Sequence, residues 1–275
     1  MSATVKKRVL VKIGGAALDH PVTRARFASS VKEAVDALGL ELAIVHGGGP
    51  QLSRYQEQHG LEVKRNERGL RITDPDTARA AVCVLGGEVN AALVSSLTAA
   101  AVRAIGLTCA DGGLARARTI DPALGAVGEL VAVDSAVIED LTSAGFVPVI
   151  ATLATDPSEP LGGRFLNVNA DAAVAPLAAA WGADVVLFLS DVAGVNGDEG
   201  PVPRLDATGA AHLESIGVLM GGMIPKVEAA LAAAAALPNA LVKIASGATP
   251  GAISAALRSD GGTAFGVGGE LIHGS

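Results

Sequence analysis

The sequence predicts an α/β protein: a three-layer α/β/α sandwich with a mainly parallel central sheet. Short β-branched runs, apolar throughout rather than alternating, are separated by longer Ala-rich stretches at helical spacing. Strands of that kind belong to parallel sheets covered on both faces. The 275 residues are 50% hydrophobic, yet they include just five Phe, one Trp and one Tyr, so the core is expected to consist of Ala, Val, Leu and Ile.

Each element follows from its local pattern. Arg8 to Ile13 reads as a buried first strand closed by Gly14-Gly15, and Val22 to Leu38 has apolar residues near helical spacing. Leu42 to His46 is a second strand, followed by Gly47-Gly48-Gly49-Pro50, where Pro50 suits the first turn of a helix because its missing N–H costs nothing there. Asp74 to Arg103 reads as one long helix, or as two with a break near Gly86-Gly87. Phe146–Ala151, Asp184–Leu189 and Leu241–Ala245 are three further strand-like runs. Thr155 to Gly163 is a turn-rich connection within a hairpin leading into Arg164 to Asn167, and Gly194 to Asp206 is a polar loop. Ala229 to Ala236 is low in complexity but reads as an ordinary helix, alanine being the best helix former. No linker separates two domains, and a division into lobes falls near residues 175–183 inside a continuous sheet.

Composition excludes several classes. A net charge of −7, with no basic stretch longer than Lys6-Lys7-Arg8, argues against nucleic acid as a partner. The first eight residues lack the apolar core of a signal peptide, and no uninterrupted apolar run reaches the length of a membrane span, so a cytoplasmic location and no membrane contact are expected. Cys83 and Cys109 are too few for a disulfide framework or a zinc site and read as small core residues. His20, His59, His212 and His273 lack metal-ligand spacing and read as surface residues, so no metal ligand is assigned.

The chemistry-bearing residues cluster at strand ends. Glycine pairs after two successive strands let backbone N–H groups approach an anion, which helix N-termini also favour, and ligands of open α/β sheets sit beyond the carboxyl ends of strands. The phosphate loop G-x-x-x-x-G-K-[ST], the dinucleotide pattern G-x-G-x-x-G and the protein-kinase signatures are all missing. Lys12 lies in an otherwise apolar strand, where a lysine is costly to bury unless an anion meets it. Asn167-Val168-Asn169-Ala170-Asp171 opens a helix, a place where such residues ordinarily serve as caps. Lys226 sits in the first turn of the Ala-rich helix, against the helix dipole, which points to an anionic partner.

Lys12-Ile13-Gly14-Gly15, His46-Gly47-Gly48-Gly49-Pro50, Gly69-Leu70-Arg71-Ile72-Thr73-Asp74, Asn167-Val168-Asn169-Ala170-Asp171, Ser190-Asp191-Val192-Ala193-Gly194 and Gly221-Gly222-Met223-Ile224-Pro225-Lys226 follow in this order. The set resembles the amino acid kinase family, and within it the branch acting on N-acetyl-L-glutamate, from about residue 9 to 266. The resemblance implies the amino acid kinase fold, with residues 1–178 as an N-terminal lobe for amino-acid substrate and dimerisation and 179–275 as a C-terminal lobe for ATP. It also implies transfer of the γ-phosphoryl of MgATP onto the side-chain carboxylate of N-acetyl-L-glutamate, an acyl phosphate for arginine biosynthesis. A relative acting on a protected aminoadipate, and a silent effector-binding relative, are the alternatives; retention of Lys12, Asp171 and Lys226 argues against the latter.

By this similarity Lys12 contacts the transferring phosphoryl, Lys226 neutralises charge on the leaving phosphate, and Asp171 orients both. Gly14, Gly15, Gly48 and Gly49 offer N–H donors; Arg71 forks the substrate α-carboxylate and Asn167 binds the same substrate. Asp191, Val192, Ala193, Gly194, Val195 and Asn196, with Val218, Leu219 and Met220, line the nucleotide site. Mg2+ arrives with ATP. A carboxylate with a free pKa near 4.3 is ionised at pH 7 and needs no general base, so His46 is expected to be structural. Met1 to Lys7 are too few for the N-terminal helix of arginine-inhibited relatives, so an arginine-insensitive homodimer formed through the helix around Ala78 to Leu97 is expected.

Overall fold

The computed structural model describes residues 6–67, 69–158, 164–258 and 261–266. Residues 1–5, 159–163 (within the connection from Thr155 to Gly163) and those after Gly266 lie outside the described residues. In chain order the elements are β1 (Arg8–Ile13), α1 (Pro21–Ala37), β2 (Glu41–His46), α2 (Gly49–Gln58), α3 (Pro75–Ala81), a π-helical stretch (Val82–Val89), α4 (Asn90–Ala99), β3 (Ala104–Thr108), β4 (Ala115–Thr119) and β5 (Val127–Val133). There follow α5 (Ala136–Ser143), β6 (Val147–Ala151), β7 (Leu153–Thr155), β8 (Phe165–Val168), α6 (Ala170–Trp181), β9 (Val185–Ser190), β10 (Asn196–Gly197), β11 (Gly200–Pro201) and β12 (Arg204–Leu205). The chain closes with α7 (Ala207–Ser215), α8 (Met223–Ala236), β13 (Leu241–Ser246), α9 (Ala252–Leu257) and β14 (Thr263–Phe265).

Eight strands form one sheet in the order β12-β14-β13-β9-β1-β2-β6-β3, while β4-β5-β8-β7 close a small barrel. Within the large sheet the pairings are parallel except β13 with β14. The expected sandwich is therefore present, and the sheet crosses the region of residues 175–183 unbroken because β9 pairs directly with β1.

Alternation along each strand builds the two helical layers. Val9, Val11 and Ile13 of β1 pack with Leu42, Ile44, Val149 and Leu187 beneath α1, the long helix and α9. Leu10 of the same strand packs with Val45, Phe188, Val242 and Ile244 against α6 and α8, where Trp181 is fully buried. Lys12 shares the parity of Leu10 and so points toward α6 and α8.

The stretch expected to be one helix or two is one continuous helix, Pro75–Ala99. The Gly86-Gly87 pair does not break it; it lies inside the π-helical stretch. Thr77, Ala81, Leu85, Val89, Leu93 and Leu97 recur at every fourth position and all are buried. At 3.6 residues per turn, each four-residue step overshoots by about 40°, a drift of about 200° over five steps. The wider i→i+5 turns lag behind such steps and cancel much of that drift, so the apolar stripe stays on the core. Within this 25-residue helix one 18-residue window has a mean hydropathy of 1.6, enough by length and composition alone to span a membrane. The expectation about apolar runs stands, since Arg79 and Glu88 interrupt this one; the helix meets the measure by length and composition alone. Packing of its stripe against α1 and the sheet accounts for its apolarity here. Cys83 also departs from expectation, being exposed on the outer side of this helix, whereas Cys109 is buried and its thiol is pushed up to about 12 by burial.

Two polar side chains cross-link helix and sheet inside this layer. Asn90 Nδ2 donates to Val149 O at 2.9 Å and lies 2.9 Å from His46 Nε2, while His46 Nδ1 lies 2.8 Å from Gly47 O. His46 is fully buried, and burial lowers its pKa from 6.5 to about 4. The neutral ring thus donates from Nδ1 to Gly47 and accepts at Nε2 from Asn90. Between pH 6.5 and 4 the unfolded chain takes up a proton at His46 that the folded chain refuses. Stability is expected to fall by about 3 kcal/mol through this group as pH drops across that window, and none of it is lost above the window. NMR titration checks this directly: the His46 ring should stay neutral down to about pH 5, and a folded-state midpoint near 6.5 would contradict it.

Candidate active site

Adjacent parallel strands bring the glycine-rich loops together. Gly14-Gly15 ends β1, Gly47-Gly48-Gly49 ends β2 and Asp191 follows β9, all at the carboxyl edge of the sheet. The first two loops touch. A Cβ on Gly15 would lie 3.1 Å from Gly48 Cα and 2.9 Å from Gln51 Oε1, and one on Gly48 would lie 2.5 Å from Leu85 Cδ2. A side chain at either position would force these neighbours to shift. Gln51 Nε2 ties the loops by donating to Gly15 O at 2.7 Å. Gly49 faces open space at the start of α2, and Gly14 N–H is engaged by Leu189 O at 3.3 Å.

Lys12 is 5% exposed, with its Nζ 2.7 Å from Asp171 Oδ1 in the first turn of α6. Burial holds the Lys12 pKa below the ordinary lysine value; Asp171 pulls it back up, and the positive charge of Lys226 presses it further down. Lys226, half-buried in the first turn of α8, is thus close enough for its charge to be felt at Lys12. Of the two asparagines, Asn169 is the helix cap, accepting from Asp171 N at 2.8 Å and Ala172 N at 3.3 Å. Asn167 instead stands in β8 of the barrel and lines the cleft.

Arg71 is 7% exposed. Its Nη1 donates to Gln56 Oε1, and its Nη2 donates to Gly49 O at 3.0 Å and to Ser53 Oγ at 2.7 Å. Both Nη2 protons are therefore used, leaving one Nη1 proton and Nε–H for a ligand. Burial, with repulsion from Arg65 behind it, lowers its pKa to about 10, so it remains charged at neutral pH. Among the described residues no carboxylate pairs with it, and a buried guanidinium with neutral acceptors alone is poised to receive an anion.

A cleft of about 230 Å³ brings together Lys12, Gly15, Gly48, Gly49, Arg71, Asn167 and Asp171. A larger cavity of about 820 Å³ adjoins it at Asn169, between Gly69-Leu70 and Gly221-Gly222 before α8. The residues expected around a nucleotide stand outside both cavities. Val195 and Leu219 are buried in the core with Leu205 and Leu213, so their side chains face away from any ligand. Val192, Gly194 and Val218 are half-buried; Asp191, Ala193, Asn196 and Met220 are exposed, and Asp191 Oδ1 accepts from Ser190 Oγ at 2.8 Å. Sequence reasoning missed Gln51, Ser53 and Gln56. Gly49, Ser53 and Gln56, which hold Arg71, fall at i, i+4 and i+7 of α2, a one-face spacing that could have marked them.

Cations and N–H donors gathered around one carboxylate suit a reaction that moves a polyanionic group. Residues 7–243 match the amino acid kinase family. An acetylglutamate kinase of Solibacter usitatus is 40% identical over 254 residues, covering 92% of this chain and 96% of that protein. One from Rubrobacter xylanophilus is also 40% identical, over 91% of this chain and 93% of its own length. Among solved structures, N-acetylglutamate synthase from Neisseria gonorrhoeae, complexed with coenzyme A and N-acetyl-glutamate, superposes with a TM-score of 0.81 at 22% identity. That alignment covers 96% of this chain and 60% of the synthase and speaks for the fold alone. With a family match over most of its length and relatives at that identity, the chain belongs to the amino acid kinase family.

Proposed function

We propose that this protein transfers the γ-phosphoryl group of MgATP to the side-chain carboxylate of N-acetyl-L-glutamate, giving N-acetyl-L-glutamyl 5-phosphate for arginine biosynthesis. The acetylglutamate kinases of similar sequence support the reading, and one structural observation carries it. A buried guanidinium with no carboxylate partner among the described residues opens on the same cleft as a buried lysine that has one. Arg71 then meets the α-carboxylate of the acceptor, and Lys12 meets the phosphoryl group.

The acceptor is an anion at neutral pH and attacks phosphorus directly. One acceptor oxygen bonds to the γ-phosphorus as the β–γ bridging oxygen leaves on ADP, with no proton to remove. The chain's task is positioning and charge stabilisation. Lys12 holds the equatorial oxygens and Lys226 the leaving phosphate, while Asp171 keeps the two ammonium groups apart and aimed. Gly15, Gly48 and Gly49 present N–H donors; Gly14 joins them when its bond to Leu189 is released. Asn167 holds the acceptor beside Arg71. Magnesium would neutralise phosphate charge, held largely by ATP and water. Residues Asp191–Asn196 and Val218–Met220 contribute to the nucleotide side through backbone and exposed side chains, with 1–178 as the acceptor lobe and 179–275 as the ATP lobe. Cys83, Gly87, Ala91 and Ser95 leave a face of small residues exposed on the long helix, which supports a homodimer through that helix. A cytoplasmic location goes with this reading.

An ATP-dependent hydroxamate assay tests the assignment, with N-acetyl-L-glutamate and a protected aminoadipate compared at equal concentration. Acyl phosphate should form from the former, and none above background would overturn the reading. Lys12→Ala and Lys226→Ala are each expected to lower kcat by about 10²–10³ with the fold intact by circular dichroism. Arg71→Ala should raise KM for the acid acceptor by about tenfold or more while KM for ATP holds within about twofold; an unchanged acceptor KM would remove Arg71 from that role. Because burial holds Lys12 below 10.5, kcat/KM for ATP should fall on the alkaline side with an apparent pKa below that value. Lys226→Met, by removing repulsion, should move this limb upward despite its lower rate.

A further inference from the structure

The Gly47-Gly48-Gly49 loop is held from behind by the long helix, at a polar and at an apolar point. Asn90, the first residue after the π-helical stretch, meets His46 Nε2 at 2.9 Å, and His46 meets the Gly47 carbonyl at 2.8 Å through its other nitrogen. Leu85 and Val89 of the π-helical stretch fill the space over Gly48, 2.5 Å and 3.2 Å from where its Cβ would stand. Asn90 is itself immobilised by the sheet. Its Nδ2 donates to Val149 O at 2.9 Å, with Leu107 O at 3.4 Å, and its Oδ1 occupies the place where a side chain on Gly106 would begin. Burial and the Gly47 carbonyl account for the His46 pKa, with no charged neighbour contributing.

We propose that His46 and Asn90 are positioning residues: together they fix the Gly47 carbonyl, and so the aim of the Gly48 and Gly49 N–H groups, relative to the helix Pro75–Ala99. Neither touches the reacting atoms. Asn90 supplies a donor to Nε2, which leaves the single ring proton on Nδ1, where it holds the carbonyl before Gly48. The role in catalysis rests on the phosphoryl-transfer reading of this loop; the role in loop geometry does not.

Two variants of the full chain test it. Asn90→Asp replaces the donor with a carboxylate, which favours the imidazolium, so His46 should titrate in the neutral range. Asn90→Ser keeps a smaller hydroxyl donor and is the milder change if Asn90→Asp folds poorly. Backbone amide resonances of Gly47, Gly48 and Gly49 report the loop whatever the acceptor proves to be, and they are expected to shift in both variants while those of β9 and α8 stay in place. For activity, kcat should fall by about tenfold to a hundredfold, as small misplacements do, with KM for ATP within about twofold and Asn90→Ser the less affected. In Asn90→Asp, kcat should become pH-dependent between pH 5 and 8. A folded variant with unmoved glycine amides overturns the proposal, as does one with moved amides but wild-type kcat and a wild-type pH profile. Moved amides in a protein that phosphorylates no N-acetyl-L-glutamate leave the loop assignment standing and overturn the substrate reading instead.

Discussion

An ammonium group buried in the central strand of the sheet is the constraint around which this molecule is arranged. Desolvating Lys12 is costly, and the cost is met by a carboxylate 2.7 Å away on an element that begins 158 positions later, with the start of α8 close by. Strand parity decides the rest. Lys12 shares a face with Leu10, so the helices of that layer, α6 and α8, deliver Asp171 and Lys226, while the opposite layer supplies packing behind the glycine loops. Parallel pairing of β9, β1 and β2 then stacks their carboxyl ends into one rim.

Arg71 shows the complementary solution. Its charge is buried with amide, hydroxyl and carbonyl acceptors, which satisfy hydrogen bonds without cancelling charge. One cation is balanced internally and the other is not, and the imbalance gives the cleft a local positive character in a chain whose net charge is −7. A small polyanion is drawn to such a place because little rearrangement is needed when it arrives.

Much of this was legible in the sequence. The strands through Val9, Ile44, Val149, Leu187 and Ile244 are apolar on both faces apart from Lys12 and Lys243 and so stand out, and the glycines at their ends mark the rim. Ala104–Thr108 was not recognised as a strand because Gly106 interrupts a short run that directly follows a helical pattern. Ala115–Thr119 and Val127–Val133 belong to a small barrel: the first sets only alanines between exposed arginines, and the second has Gly128 and Glu129 within its apolar run. Asn169 and Asn167 look alike in sequence, and only the position of the first helical turn separates cap from cleft residue. Val195 and Leu219 fall within motif runs, but both lie in loops that turn their side chains into the core. His46 gives no hint of Asn90, since their meeting depends on how a helix is seated rather than on any local pattern.

The wider turns at Val82–Val89 have a consequence for how the gene can vary. They bring both ends of Pro75–Ala99 into phase with the core, so the number of residues between Thr77 and Leu97 is fixed by geometry. Inserting or deleting one residue would rotate the distal half by about 100° and swing Leu93 and Leu97 into water. Side chains along the outer face are free to drift in identity, but this stretch of chain has no freedom to change its length.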